Sequence, residues 1–270
     1  MPRIYTIAAF AAVIAMPGLA PGLAQAQTQP YVSQGKSSDW TLDVGVGAVY
    51  GFSPGGTKAD QVNLIPWASL NWHDRFYANV LEGVGYNIVK TDRWRAGVQI
   101  RPNYSGTSSI NGLKLPGTGA DLTGYAYTRI GYNFTIGGRL MHDVTGQTDG
   151  TAAWLSVGHQ DRTPVGLLQT TLYTRIADRR SNQAYYGIDA SQSAQSGLPM
   201  YTLGAGAQNA GVALLMLSPV TKHYAIGSFL NVERALGDVA DSPLIQDRKN
   251  KEMAYRAGLI VVRRFGGDLR

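Results

Sequence analysis

Between Asp39 and Gly51 the sequence DWTLDVGVGAVYG sorts by parity. Trp40, Leu42, Val44, Val46, Ala48 and Tyr50 hold the even positions; Thr41, Asp43, Gly45, Gly47, Val49 and Gly51 hold the odd ones. Side chains alternate across a strand, so the stretch specifies a strand with one apolar face and one small or polar face. What that apolar face touches, a protein core or lipid, decides the class of fold.

The pattern recurs. RWRAGVQIRPNY sets Trp94, Ala96, Val98, Ile100, Pro102 and Tyr104 against Arg93, Arg95, Gly97, Gln99, Arg101 and Asn103. QVNLIPWASLNW, GYAYTRIGYNF and YRAGLIVVRRF behave alike, with Arg263 a misfit on the apolar face of the last. Three details favour lipid. Apolar faces begin and end with aromatics (Trp40/Tyr50, Trp94/Tyr104, Tyr255/Phe265), as two membrane interfaces select. Ten residues at about 3.3 Å, tilted about 40°, span roughly 25 Å, the height of an outer-membrane apolar band. The opposite faces mix Gly with Arg, Asn and Gln, as a wet or plugged interior does. Two stretches fit less well. Glu82 falls in phase with Phe76, Ala78 and Val80, which demands a bulge or an interfacial position, and GVALLML is apolar on both faces, which suggests a local interior core.

The strand pattern covers 39–51, 60–72, 75–88, 92–104, 122–134, 136–144, 151–161, 165–177, 203–218, 223–236 and 252–265. These are eleven, and single-chain bacterial barrels have even numbers. The expectation is an all-β, single antiparallel transmembrane β-barrel of about 12 strands, with 10 the alternative and 178–202 the place where a strand would hide. Long connections, rich in Gly, Ser, Asp or Pro, fall near 105–121, 178–202 and 237–251.

The N-terminus reads as an address. A basic start at Arg3, a small and apolar run, and Ala24-Gln25-Ala26 form a signal peptide over 1–26, cut after Ala26. A short segment 27–38, the barrel over 39–265 and a tail over 266–270 follow. Pro17, Gly18 and Pro21 break the run and argue against a retained anchor.

Zero cysteines remove disulfides, thiolate catalysis and Cys metal sites. The formal charge of +6 is spread through alternating strands with no run of five basic residues, so no nucleic-acid partner is expected. No G-x-S-x-G, H-E-x-x-H or P-loop occurs, and no catalytic, cofactor or metal residue is assigned. Among the histidines (His73, His142, His159, His223), His159 shares a face with Asp161 but not with Ser156. Arg93, Arg95, Arg101, Arg129 and Arg175 fall in the inward phase, where they line an anion-favouring pore or pair with acids such as Asp43 and Glu233.

Further motifs carry a resemblance. VYGFSPGG after the first strand, YYGID at 185–189, GDVADSPLIQD at 237–247 and the aromatic-ended YRAGLIVVRRF come in the order seen in the MipA/OmpV family of Gram-negative outer-membrane proteins, which this chain resembles over nearly all of the sequence after 26. The resemblance implies a cell-outer-membrane barrel without known catalytic residues. One member is described as a scaffold joining a murein-cleaving transglycosylase to a murein-building synthase; others are discussed as adhesins. It makes Gly237, Asp238, Asp241, Ser242 and Pro243 a candidate motif loop for a ligand or partner, against a turn-forming role. Tyr185 and Tyr186 become candidate partner contacts, against girdle residues. This chain departs from the family in continuing five residues past Phe265. The readings carried forward are a non-enzymatic scaffold or adhesin in outer-membrane lipid, a small arginine-lined channel, a histidine-based membrane hydrolase and a soluble periplasmic barrel for an apolar ligand.

Overall fold

The computed structural model describes residues 39–51, 62–103, 110–131, 133–247 and 252–269. The proposed signal peptide and the segment 27–38 lie outside them, as does Tyr104. Twelve antiparallel strands form a closed barrel. They are β1 (Trp40–Gly51), β2 (Val62–Trp72), β3 (Phe76–Asn79), β4 (Gly83–Lys90), β5 (Trp94–Asn103), β6 (Gly119–Ile130), β7 (Phe134–Asp143), β8 (Thr151–Thr163), β9 (Gly166–Ala177), β10 (Gly206–Pro219), β11 (Tyr224–Ala235) and β12 (Met253–Phe265). Each strand pairs with its sequence neighbours, and β1 pairs with β12 from Leu42↔Phe265 to Gly51↔Arg256, which closes the ring.

Burial follows the parity of the sequence. In β1, Trp40, Val44, Val46 and Tyr50 are exposed on the outer surface, while Thr41, Asp43 and Val49 are buried inside. β2 buries Ile65, Trp67 and Ser69 and exposes Val62, Leu64 and Trp72. A closed ring has no free edge and satisfies its backbone between strands, as a bilayer core requires. Arg263, the misfit, places its guanidinium 4.7 Å from the Phe265 ring centroid and 5.9 Å from that of Tyr224. It lies among the aromatics at one end of the apolar band, where a long cationic side chain can reach headgroups.

The twelfth strand is not in 178–202. The stretch 75–88, read as one strand, is two, joined by a turn at Val80, Leu81 and Glu82. The cause is local. The Asn79 side-chain oxygen accepts the backbone N–H groups of Leu81 (3.0 Å) and Glu82 (2.7 Å), and Gly83 takes a left-handed φ of 71°. This also resolves Glu82: it is a turn residue folded into the barrel, 1% exposed, not a lipid-facing charge. Likewise β6 ends at Ile130 and Phe134 opens β7 after a turn at Gly131 (φ 59°), so 122–134 is not one strand.

The segment 178–205 instead carries two helices, α1 (Arg179–Tyr186) and α2 (Ala190–Ser196). Asp178 caps α1 by accepting from the Ser181 N–H, and Asp189 with Gln192 forms a capping box on α2. Between β11 and β12 lie two single-turn helices, α3 (Gly237–Ala240) and α4 (Pro243–Gln246).

The two ends differ. One carries only the short turns 73–75, 91–93, 131–133, 164–165 and 220–223; the other carries 52–61, 104–118, 144–150, 178–205 and 236–252. Outer-membrane barrels keep short turns in the periplasm and long loops outside. The one short connection at the long-loop end is 80–82.

Candidate functional site

The interior is filled from three sources. An apolar cluster of Val49, Ile65, Trp67, Val80, Leu81, Ala225, Ile260 and Val262, joined by Leu217 and Phe229, lines the wall running from β10 through β12 and β1 to β2. This is the interior core that the two-faced GVALLML stretch of β10 suggested. Leu269 belongs to the same cluster, because the tail after Phe265 turns at Gly266 (φ 78°) and its Leu269 N–H bonds the Lys222 carbonyl at 2.9 Å. Residues 266–269 of the tail therefore fold under the short-turn mouth.

Buried ion pairs and tyrosines fill the middle. Glu82 Oε2 accepts from Arg139 Nη1 (2.6 Å) and Gln99 Nε2 (3.1 Å); Arg139 Nε also donates to the Tyr127 hydroxyl (2.7 Å), and the Tyr77 hydroxyl donates to Gln99 (2.7 Å). Higher up, Arg256 binds Glu233 (2.7 Å) and Asn231 (3.0 Å), while Tyr173 bonds both Glu233 (3.0 Å) and Asn231 (2.7 Å). Near the short-turn end Arg264 makes a two-pronged pair with Asp43, both contacts 2.7 Å.

The helices cap the long-loop end. Tyr186, Leu203, Ala235, Val239 and Ile245 form an apolar cluster with Tyr185 and Tyr201 against it. The candidate motif is part of this cap. Ser242 is fully buried; its hydroxyl donates to the Tyr186 carbonyl (2.6 Å) and accepts from the Leu244 N–H (3.3 Å), capping α4 with Pro243 at its first turn. Gly237 takes a φ of 53°, and Asp238 and Asp241 are exposed. Tyr186 is buried within the cap, and the Tyr185 hydroxyl accepts from Asn103 Nδ2 at 2.7 Å. Burial pushes the Tyr185 phenol up to about 12, with Arg175 opposing, so it stays neutral.

The candidate arginines divide. Arg93 lies in the exposed turn before β5, outside the wall, because that strand starts at Trp94 and not at 92. Arg129 is exposed at the end of β6. Arg95 and Arg175 are half-buried and Arg101 is buried, all three in the inward phase of their strands. Arg101 Nη1 approaches the Met141 sulfur (3.6 Å), its Nε stands 3.9 Å from Glu82, and its Nε and Nη2 have no hydrogen-bond partner; nor has Arg175 Nε. Sequence parity did not single out Glu82, Arg139, Arg256 and Arg264 as interior residues. The inward phase was there to read for Arg139, Arg256 and Arg264, but not for Glu82, whose turn breaks it.

His159 and Asp161 do meet, at 3.0 Å, but on the outward phase of β8, stacked on Phe134 (4.4 Å), while Ser156 points inward. Among the described residues no group of three His or acidic side chains is placed to hold a metal.

A ring of twelve strands, apolar outside and filled inside, sits over most of the span that one known family covers: MltA-interacting protein MipA matches residues 44–265. The chain belongs to the MipA family. It is similar to "Putative outer membrane protein YiaT" of Escherichia coli (strain K12), 25% identical over 245 residues that cover 85% of this chain and 93% of that protein. The protein of the same name from Escherichia coli O157:H7 matches equally, at 25% over 245 residues. Among solved structures, a "Bacterial polysaccharide outer membrane secretin" aligns with a TM-score of 0.40 at 11% identity, over 86% of this chain and 99% of that one. The MipA-family chain is thus an outer-membrane β-barrel, and neither its family nor its fold is that of a known enzyme class.

Proposed function

We propose that this MipA-family barrel is a non-enzymatic scaffold of the outer membrane, which holds murein enzymes, a transglycosylase and a synthase, at its periplasmic end. The observation that carries the reading is the filled interior: core, ion pairs, tail and cap occupy the lumen, so the work falls to surfaces outside it. The family's printed description as MltA-interacting supports the class of partner. The helical cap holds Ser242, Pro243, Tyr185 and Tyr186 among its own residues at the opposite end, with Gly237, Asp238 and Asp241 on its surface. A periplasmic partner would therefore meet the short turns and the tail instead. The test is capture from solubilised envelopes by the tagged full chain. Retention of a murein transglycosylase and a synthase together is expected, and retention of neither overturns the reading.

A second reading, a small anion channel, draws on Arg101 and Arg175, whose guanidinium nitrogens are not all engaged. It requires a continuous water path past the Glu82–Arg139 layer, and its test is the conductance of the unaltered chain in planar bilayers.

A further inference from the structure

The short-turn mouth is unevenly charged. Along the arc from the β2–β3 turn to the end of β6 stand Arg75, Lys90, Arg93, Arg95 and Arg129, five cations against two acids, Asp74 and Asp92. Around the rest of the mouth, among the described residues, Arg162, Lys222, Arg263 and Arg264 are matched in number by Asp39, Asp43, Asp161 and Asp268. The balanced arc is also the covered one, because the tail binds there, with the Leu269 N–H on the Lys222 carbonyl.

The two acids of the first arc do not neutralise it. Asp74 is taken by Lys90 and feels the charge of Arg95 as well. Asp92 makes no ion pair among the described residues. Arg75 donates to the Asn87 and Ile88 carbonyls at 3.2 and 3.1 Å, so its charge meets no acid. Arg93 and Arg129 stand directly opposite one another, the Arg129 N–H on the Arg93 carbonyl at 2.8 Å. Like charges facing across a ladder weaken it, and no acid among the described residues pairs with either guanidinium. Arg95 follows two residues after Arg93, and Arg129 is among the charges it feels.

This group stands in water, outside the apolar band. Trp94 pairs with Thr128, and the Arg93–Arg129 rung is the next one towards the periplasm, beyond the interfacial Trp94. Arg95 and Arg129 share the inward phase of the buried Gln99 and Tyr127, while Trp94 and Ile130 face outward. The two arginines are therefore turned to the mouth and not to the headgroups around it. Arg263, set among outward aromatics, is the contrast.

We propose that this arc docks an extended acidic segment of a periplasmic protein, its carboxylates held by Arg93, Arg95 and Arg129. Arg93 and Arg95 repeat at about 6.6 Å, as do acids at alternate positions of an extended chain. Arg129 lies about 5.5 Å across from Arg93. A guanidinium fork takes a carboxylate through two parallel bonds. The closed ring has no strand edge to offer, so side chains make the contact. The inference deepens the scaffold reading, on which it rests for a partner at this end.

The test is fluorescence anisotropy of a labelled peptide of alternating Glu and Thr, and of its Gln counterpart, with the full chain in neutral detergent. The Glu peptide should bind about tenfold more tightly. Arg93→Gln with Arg129→Gln should weaken it about tenfold, while Arg162→Gln with Lys222→Gln, on the balanced arc, should not. All four side chains are exposed, so the boiling-dependent gel shift should persist throughout. Equal binding of the two peptides, or equal loss from both pairs of substitutions, overturns the arc. Displacement of the Glu peptide by a lower concentration of phosphatidylglycerol bicelles or of soluble murein fragments also overturns it, since the site would then belong to a lipid or to murein. Failure here is separable from failure of the scaffold. A chain that retains both murein enzymes but does not discriminate the peptides loses the arc alone; one that discriminates them but retains neither enzyme loses the scaffold alone.

Discussion

Asp43 and Arg264 join the first strand to the last, directly opposite one another across the seam that closes the ring. Both are buried, so removing Asp43 takes from the buried Arg264 guanidinium its two-pronged ion pair. Asp43→Ala should destabilise the barrel by about 3–5 kcal/mol, read as a lower urea midpoint of tryptophan fluorescence in detergent. Asp74, in the β2–β3 turn, offers a milder case with a pH signature. Burial alone would raise its carboxyl, but the hydrogen bond and charge of Lys90, the Asn71 amide and the Arg95 charge together hold it below its ordinary value. A depressed folded-state value means the pairing stabilises above the ordinary carboxylate range and is lost as pH falls through the lowered value. Lys90→Gln should therefore lower the melting temperature slightly at neutral pH and not at all in strong acid. The effect is small because Asp74 is half exposed. Equal losses at both pH values would refute the pairing.

At the scale of elements, what the sequence showed and what it hid have separate causes. β1, β2, β5 and β12 were legible because lipid on one side and packed side chains on the other impose strict alternation. The β3–β4 hairpin was not, because Asn79 and Gly83 spend a turn inside an apolar run and Glu82 breaks parity only by leaving the wall. The cap helices were not, because α1 and α2 are 8 and 7 residues long and rest on no long apolar stripe: α1 is held by its cap and by Tyr185 and Tyr186 in the cluster with Val239 and Ile245, and α2 by its capping box. In the candidate site, parity placed Arg95, Arg101 and Arg175 inward but could not show which arginines lack an acid, since that depends on cross-barrel partners. The tail had no legible role, yet Leu269 is 4% exposed. Leu269→Ala should cost about 2–4 kcal/mol, by lost burial and the cavity left at the mouth. Deleting 266–270 should lower the temperature at which the folded gel band is lost. An unchanged band would mean that the tail packs without stabilising.

For the whole molecule the question is whether a ring this size conducts. Twelve strands enclose enough space for a narrow channel, so what matters is how the space is used. Here the obstacles stand in series: Leu269 at the short-turn end, with the apolar cluster rising from it along one wall, the Glu82–Arg139–Tyr127 layer in the middle and the α1–α4 cap above. An ion must breach all three, and single lesions leave the others standing. The wild-type chain in planar bilayers should therefore show no steady conductance, and removing the tail alone should leave it closed. Removing the tail and replacing the middle layer by Glu82→Ala with Arg139→Ala should still give only brief openings while the cap remains. A steady, anion-selective current through the unaltered protein, weakened by Arg95→Ala, would show instead that the lumen is a path, and the channel reading would displace the scaffold.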